Sequence, residues 1–210
     1  MRGTMPTPSV ANAGQSVLVP LLPLSEGCLF PEASLALVVT TPSAVRALEI
    51  ARRTGRRILA VAQKDAQASI PAAHDLHAVG TVADLSEDVL VEGGAHRIEL
   101  DGLQRARIGA VVGLDTLVAE AELLAEGDPA DEWGPAVEAL ARYLHAHADL
   151  RSFIDQQRRS KEPMAWVNLA CQHLPIASSA RQRLLECGAP ERCVKISRGL
   201  GALLRKEHAS

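Results

Sequence analysis

Val79-Gly80-Thr81-Val82-Ala83 and, beyond a short hairpin, Asp101-Gly102-Leu103-Gln104-Arg105-Ala106-Arg107-Ile108 decide how this chain is read. Both stretches mix β-branched and apolar residues with a glycine, which inside a strand marks a bulge or a close backbone approach. The residues between them complete a hairpin. Positions 76–85 and 88–91 read as strand, Glu92-Gly93-Gly94-Ala95 as a turn, and Arg97, Glu99 and Asp101 alternate with Ile98 and Leu100 on the return. Positions 104–112 form a further strand, Gly113-Leu114-Asp115 turns the chain, and 116–124 close a meander. Arg105 and Arg107, two apart on a strand, share a face and are expected to pair with acidic residues such as Glu99 or Asp101, or to contact a substrate's backbone or a partner subunit.

Upstream, Ile58-Leu59-Ala60-Val61-Ala62 is an unbroken apolar run, the pattern of a strand buried on both faces or at a barrel interior. One helix precedes it. Pro42 and Ser43 open that helix, with Ser43 as N-cap; Val45, Leu48 and Ile50 give it an apolar stripe, and Gly55 stops it. Arg52, Arg53, Arg56 and Arg57 gather at its end, where cations complement the helix dipole in solvent or meet an anionic partner. Residues 65–75 read as a loop, and residues 1–16 as a disordered leader with no apolar segment of a signal peptide. Short, numerous strands with one helix imply a small closed or half-closed barrel.

Glu126-Gly127-Asp128-Pro129-Ala130-Asp131 marks a boundary at which the periodicity changes. Beyond it, apolar residues recur at helical spacing around Leu140, Leu169, Leu184 and Leu200, with Pro135, Pro163, Pro175 and Pro190 near helix starts. The organisation is therefore a leader (1–16), a β-domain (17–126) and a bundle of four or five helices (127–210), packed together because the connection is short.

The net charge of −3 is unevenly spread: residues 17–126 carry 9 basic and 15 acidic side chains, residues 127–210 carry 12 and 10. An acidic β-domain and 2% aromatic content disfavour phosphate backbones and base stacking, so nucleic acid is not expected as a partner. No apolar run approaches the length that spans a bilayer. Cys28, Cys171, Cys187 and Cys193 are widely spaced and accompany no export signal, which suits free thiols, a cytoplasmic setting and no zinc. Cys171 with His173, His74 with His77, and His145 with His147 are the close pairs, and none completes a metal-ligand or triad pattern. Ser160 and Lys161 are neighbours, but the residues around them do not resemble a catalytic segment, and no Gly-Lys dipeptide of a phosphate loop occurs. No catalytic residue and no cofactor are expected.

The two opening stretches, together with Pro20-Leu21-Leu22-Pro23-Leu24, Phe30-Pro31 and Ile58-Leu59-Ala60-Val61-Ala62-Gln63-Lys64-Asp65, resemble in order and spacing the amino-terminal domain of the ATP-dependent Lon proteases. Two departures stand out: Glu32 follows Phe30-Pro31 where the family usually has glycine, and the hairpin before Asp101 carries two glycines. The resemblance implies an α+β protein, a small PUA-like barrel followed by a helical bundle. It also implies binding of unfolded or partly unfolded polypeptides in a shallow apolar groove between barrel and bundle, with edge-strand pairing to the extended peptide, with a protease as a further partner, and with Arg105, Arg107 and Phe30 as contacts, Phe30 being otherwise a core residue. A structural or regulatory role in a protease assembly, and RNA binding in the manner of some PUA-like barrels, are the alternatives. The oligomeric state stays open.

Overall fold

A computed structural model describes residues 13–65, 71–113, 118–129, 131–158, 160 and 162–208, with side chains as far as 205. Six strands form one mixed sheet: β1 (Ser16–Leu24), β2 (Ser34–Val39), β3 (Arg57–Ala62), β4 (Val79–Leu90), β5 (His96–Val112) and β6 (Val118–Leu123). The order is β2-β5-β4-β3-β1-β6, and β6 pairs back onto β5, so five strands close into a barrel. β5 is long enough to serve two neighbours on one edge. Its first half pairs with β2, through Ser34↔Asp101 to Val39↔His96, and its second half pairs with β6. Both sequence readings, closed and half-closed, thus apply to different ends of the same barrel.

The expected strand pieces around the hairpin are continuous. The β4–β5 ladder absorbs irregularities at Val82/Ala83 and at Leu85/Glu87 without ending either strand, which is how a bulge bends a strand. β3 is buried on both faces. Ile58 and Ala60 pack with Leu22, Leu24, Leu85 and Leu100 beneath α1 (Pro42–Arg53), while Leu59 and Val61 pack inside the closed end with Val19, Leu21 and Ala121.

Thr41, rather than Ser43, is the N-cap residue of α1, because Pro42 occupies the first helical position, where a missing N–H costs nothing. Arg52, Arg56 and Arg57 at its far end are engaged rather than simply solvated. Arg52 Nε donates to Asp88 at 2.6 Å, Arg56 Nε to the Leu85 carbonyl at 2.7 Å, and Arg57 pairs with Asp84 at 3.1 Å, so the helix end is tied to β4.

Five helices follow: α2 (Trp133–Ala146), α3 (Ala148–Gln157), α4 (Pro163–His173), α5 (Ser178–Glu186) and α6 (Ala189–His208). Pro163 and Pro190 lie in first turns as expected, whereas Pro175 sits between α4 and α5. The sheet reaches further back than the leader reading allowed, since β1 starts at Ser16 and the Gly14 N–H already donates to the Leu123 carbonyl. The rest of the leader (1–12), the middle of the 65–75 loop (66–70), Leu114 and Asp115 of the expected turn, and Lys161 lie outside the described residues. No described helix is long and apolar enough to cross a membrane.

Candidate functional site

The motif glycines are places where backbones touch. A Cβ on Gly80 would collide with the Ala60 carbonyl oxygen, and one on Gly102 with that of Phe30. Thr81, fully buried, donates to the Leu29 carbonyl at 2.6 Å. These residues grip the segment from Cys28 to Ala33 between β1 and β2, and that segment in turn plugs the bundle. Phe30 is 0% exposed and belongs to the helical core with Tyr143, Cys171 and Leu200. Its N–H donates to Gln172 Oε1 at 3.1 Å, and the Arg192 guanidinium lies 5.4 Å from its ring centroid. Beside it, the Cys28 thiol donates to Gln182 Oε1 at 3.3 Å, and Gln182 Nε2 donates to the Val79 carbonyl at 3.0 Å.

Arg105 and Arg107 do share a face of β5, but their partners are not Glu99 or Asp101. Arg105 is 3% exposed and forms an ion pair with Glu126; it also donates to the carbonyls of Ala125 (2.7 Å) and Glu186 (3.1 Å). Arg192, wholly buried, holds the other oxygen of Glu126 at 3.1 Å and donates to Asn168 and to the Cys187 carbonyl. Arg107 lies at the exposed end of the face and pairs with Glu122, its register partner on β6, at 3.2 Å. Asp101, by contrast, accepts from Ser34 Oγ at 2.6 Å. The junction between barrel and bundle is therefore filled by Phe30, Cys28 and the Arg105–Glu126–Arg192 cluster, and the open groove lies elsewhere.

That groove, about 620 Å³, runs along β2 and is lined by Leu35 to Thr41 on one side and by Leu22 to Glu26 on the other. The volume is in the usual range of ligand pockets, about 300–1,000 Å³. Its origin is topological. β6 covers β1 only over Ser16 to Pro20, so among the described residues Leu21 to Leu24 have β3 on one edge and no strand on the other, and β2 has β5 alone as strand partner. The seam left between β1 and β2 is the unclosed end of the barrel.

Backbone alternation says what the seam offers. The Gly102 N–H donates to the Ala33 carbonyl at 2.8 Å; from there the antiparallel ladder turns the amides of Leu35, Leu37 and Val39 toward β5, and those of Ser34, Ala36 and Val38 away from it. The outward carbonyl of Ser34 accepts from Gln172 Nε2 at 2.8 Å, which agrees with that phase. Leu35 and Leu37 point inward yet stay half-buried, while Val38 is 60% exposed. β2 carries none of the charges or prolines with which edge strands are usually protected.

Cys171, His173 and His147, from the close pairs of the sequence, are each packed into the helical bundle. Burial pushes the Cys171 thiol up to about 12 and the Cys28 thiol to about 11, the opposite of an activated nucleophile. His173 packs edge-on to Phe153 at 4.8 Å, and burial lowers its pKa. His147 follows the end of α2 and stacks on Tyr143 at 4.1 Å, away from a shared site with His145. Among the described residues no group of three or more His, Cys, Asp or Glu side chains could hold a metal ion.

Residues 18–198 match the family model described as the ATP-dependent protease La (LON) substrate-binding domain. The Lon protease of Xanthomonas oryzae pv. oryzae is 31% identical over 179 residues, which are 80% of this chain and 21% of that protein. Lon protease 1 of Thermus thermophilus is 30% identical over 196 residues, 89% of this chain and 24% of that protein. The chain thus spans under a quarter of the length of these relatives. The solved N-terminal domain of Mycobacterium avium complex Lon protease superimposes with a TM-score of 0.71 at 18% identity, covering 88% of this chain and 98% of that one, a likeness of fold.

Proposed function

The chain belongs to the family of the ATP-dependent protease La (LON) substrate-binding domain, and on that premise we propose that it is a non-catalytic module that captures unfolded polypeptide segments along the open edge of β2. The observation that carries this reading is the seam: an unprotected strand edge, with the amides of Ala36 and Val38 turned outward, beside a groove floored by Leu22, Leu24 and Leu37. An extended peptide laid there would gain main-chain hydrogen bonds from the edge and apolar burial from alternate side chains. It would also close the half-open end of the barrel.

In this reading the client contacts β2, while Phe30 and Arg105 position that strand from beneath by joining it to the bundle. Arg107 stays a solvent-facing partner of Glu122 on the β6 half of the barrel. The partner implied is any chain that exposes an apolar extended segment, with a protease as the recipient of what is captured. The chain itself is expected neither to hydrolyse ATP nor to cleave casein.

Titration of a denatured, reduced client at low and high salt tests the proposal. The expected result is weak binding that changes little with salt and that drops about tenfold, near 1.4 kcal/mol, in Val38→Lys. Tight single-stranded RNA binding that collapses as salt rises, without polypeptide binding, would overturn it.

A further inference from the structure

The corner between α5 and α6 brings a thiol and an amine into contact. Cys187 directly follows α5, and Lys195 lies two turns further along the chain in α6. Lys195 Nζ donates to Cys187 Sγ at 2.9 Å, while the thiol itself donates to the Arg183 carbonyl at 3.0 Å. Glu191 accepts from the same Nζ at 2.9 Å and fixes it from the other side. Among the described residues Cys187 alone has a lysine amine on its sulfur; Cys28 meets Gln182, and Cys193 meets the Met164 thioether at 3.5 Å.

An independent feature of the same corner brings a small oxidant as far as the Lys195 side of the pair. A cavity of about 230 Å³, walled by Leu184, Ile196, Leu200 and Leu203, opens beside Lys195 and Arg183. One water molecule occupies about 30 Å³ in the liquid, so a diatomic gas fits with room to spare, and an apolar wall suits dioxygen better than water. The Lys195 side chain is 45% exposed, so the amine is reachable from solvent as well.

We propose that Cys187 and Lys195 form a covalent N–O–S bridge when the protein meets dioxygen, and that this corner is a reversible oxidation site. In the overall reaction the Lys195 ammonium first releases a proton to water, and thiol, free amine and dioxygen then give the bridge and one water. The S–H bond and one N–H bond break, and S–O and O–N bonds form. Sulfur and nitrogen give up two electrons each, dioxygen accepts all four, one of its oxygens enters the bridge, and the other leaves as water with the two released hydrogens. The bridge pins the end of α5 to α6 at the residues whose carbonyls, Glu186 and Cys187, receive Arg105 and Arg192. Oxidation thereby stiffens the joint between bundle and barrel.

Intact mass spectrometry of the full chain, prepared reduced under nitrogen and then equilibrated with oxygen, reads the bridge directly. The expected product gains one oxygen and loses two hydrogens, about 14 Da, and reverts with dithiothreitol. It disappears in Cys187→Ser and in Lys195→Arg, the latter keeping the charge beside Glu191, and circular dichroism shows both variants folded. A 14 Da gain that survives in Lys195→Arg, no mass change in the parent chain, or gains only in whole oxygens of about 16 Da would each overturn the proposal.

Discussion

Gln172 of α4 holds both ends of the segment that enters β2: its Oε1 accepts from the Phe30 N–H at 3.1 Å, and its Nε2 donates to the Ser34 carbonyl at 2.8 Å. A single bundle side chain thus fixes where the open strand begins. Gln172→Ala leaves a buried N–H and an outward carbonyl unpaired, and should cost about 1–3 kcal/mol in urea unfolding. Its amide exchange at β2 should rise more than that at β3, and an equal rise in both strands would contradict this assignment.

Glu126 carries the charge balance of the joint. Removing its carboxylate strands two buried guanidinium groups, Arg105 and Arg192. Because Glu126 is itself partly exposed, Glu126→Ala should lie near the lower end of what breaking a buried pair costs, about 3 kcal/mol. Arg107→Ala, which removes an exposed pair, should cost under about 1 kcal/mol. Denaturant midpoints of the two variants check the ordering, and equal losses would refute it.

The glycines divide by what surrounds them. At Gly102 an added methyl meets the Phe30 carbonyl, a backbone atom that cannot swing aside, so Gly102→Ala should destabilise strongly. At Gly199, inside α6, nothing lies within 4 Å of the added carbon. Gly199→Ala should therefore stabilise by up to about 1 kcal/mol through helix propensity. Thermal melts of the pair should move in opposite directions.

His173 provides a pH test. Burial, with Arg181 adding to it, lowers its folded pKa below the ordinary histidine value. The unfolded chain then binds more protons across the window from the folded pKa up to about 6.5, so stability rises with pH through that window and is lost as pH falls through it. His77 shifts in the same direction, again chiefly by burial. His173→Gln should flatten the pH dependence of the urea midpoint between mildly acidic and neutral conditions. An unchanged slope would mean that the ring is not buried as described.

Local features of the fold were readable from the chain. The apolar run at 58–62 is buried on both sides, Gly93 and Gly94 turn a hairpin with φ of 84° and 79°, and apolar periodicity marked the helices. These depend on residues close in sequence. The N-cap of α1 was misplaced by two residues because serine and threonine both suit that role, and only the proline position separates them. Partners far apart in sequence were out of reach. Glu99 and Asp101 are the nearby acids that Arg105 could meet, but register sets Glu99 opposite Ala36 and Glu87, sets Asp101 opposite Ser34 and Asp84, and sends Arg105 beneath the helices to Glu126. For Phe30 the chain alone offers both a loop contact and a core residue, and partners far off in sequence decide for the core: the ring packs with Tyr143, Cys171 and Leu200, and its N–H meets Gln172, 142 residues away. The open edge of β2 left one trace, a six-residue strand with neither charge nor proline, and such a run reads equally well as an interior strand.

Hydrogen exchange of β2 with and without client addresses the central claim. The amides of Ala36 and Val38 face the groove, and in the free protein they should exchange faster than those of Leu35 and Leu37, which face β5. On addition of a saturating unfolded client, Ala36 and Val38 should become protected while the β6 amides stay unchanged. Client binding that leaves Ala36 and Val38 as exposed as before would contradict capture at this edge.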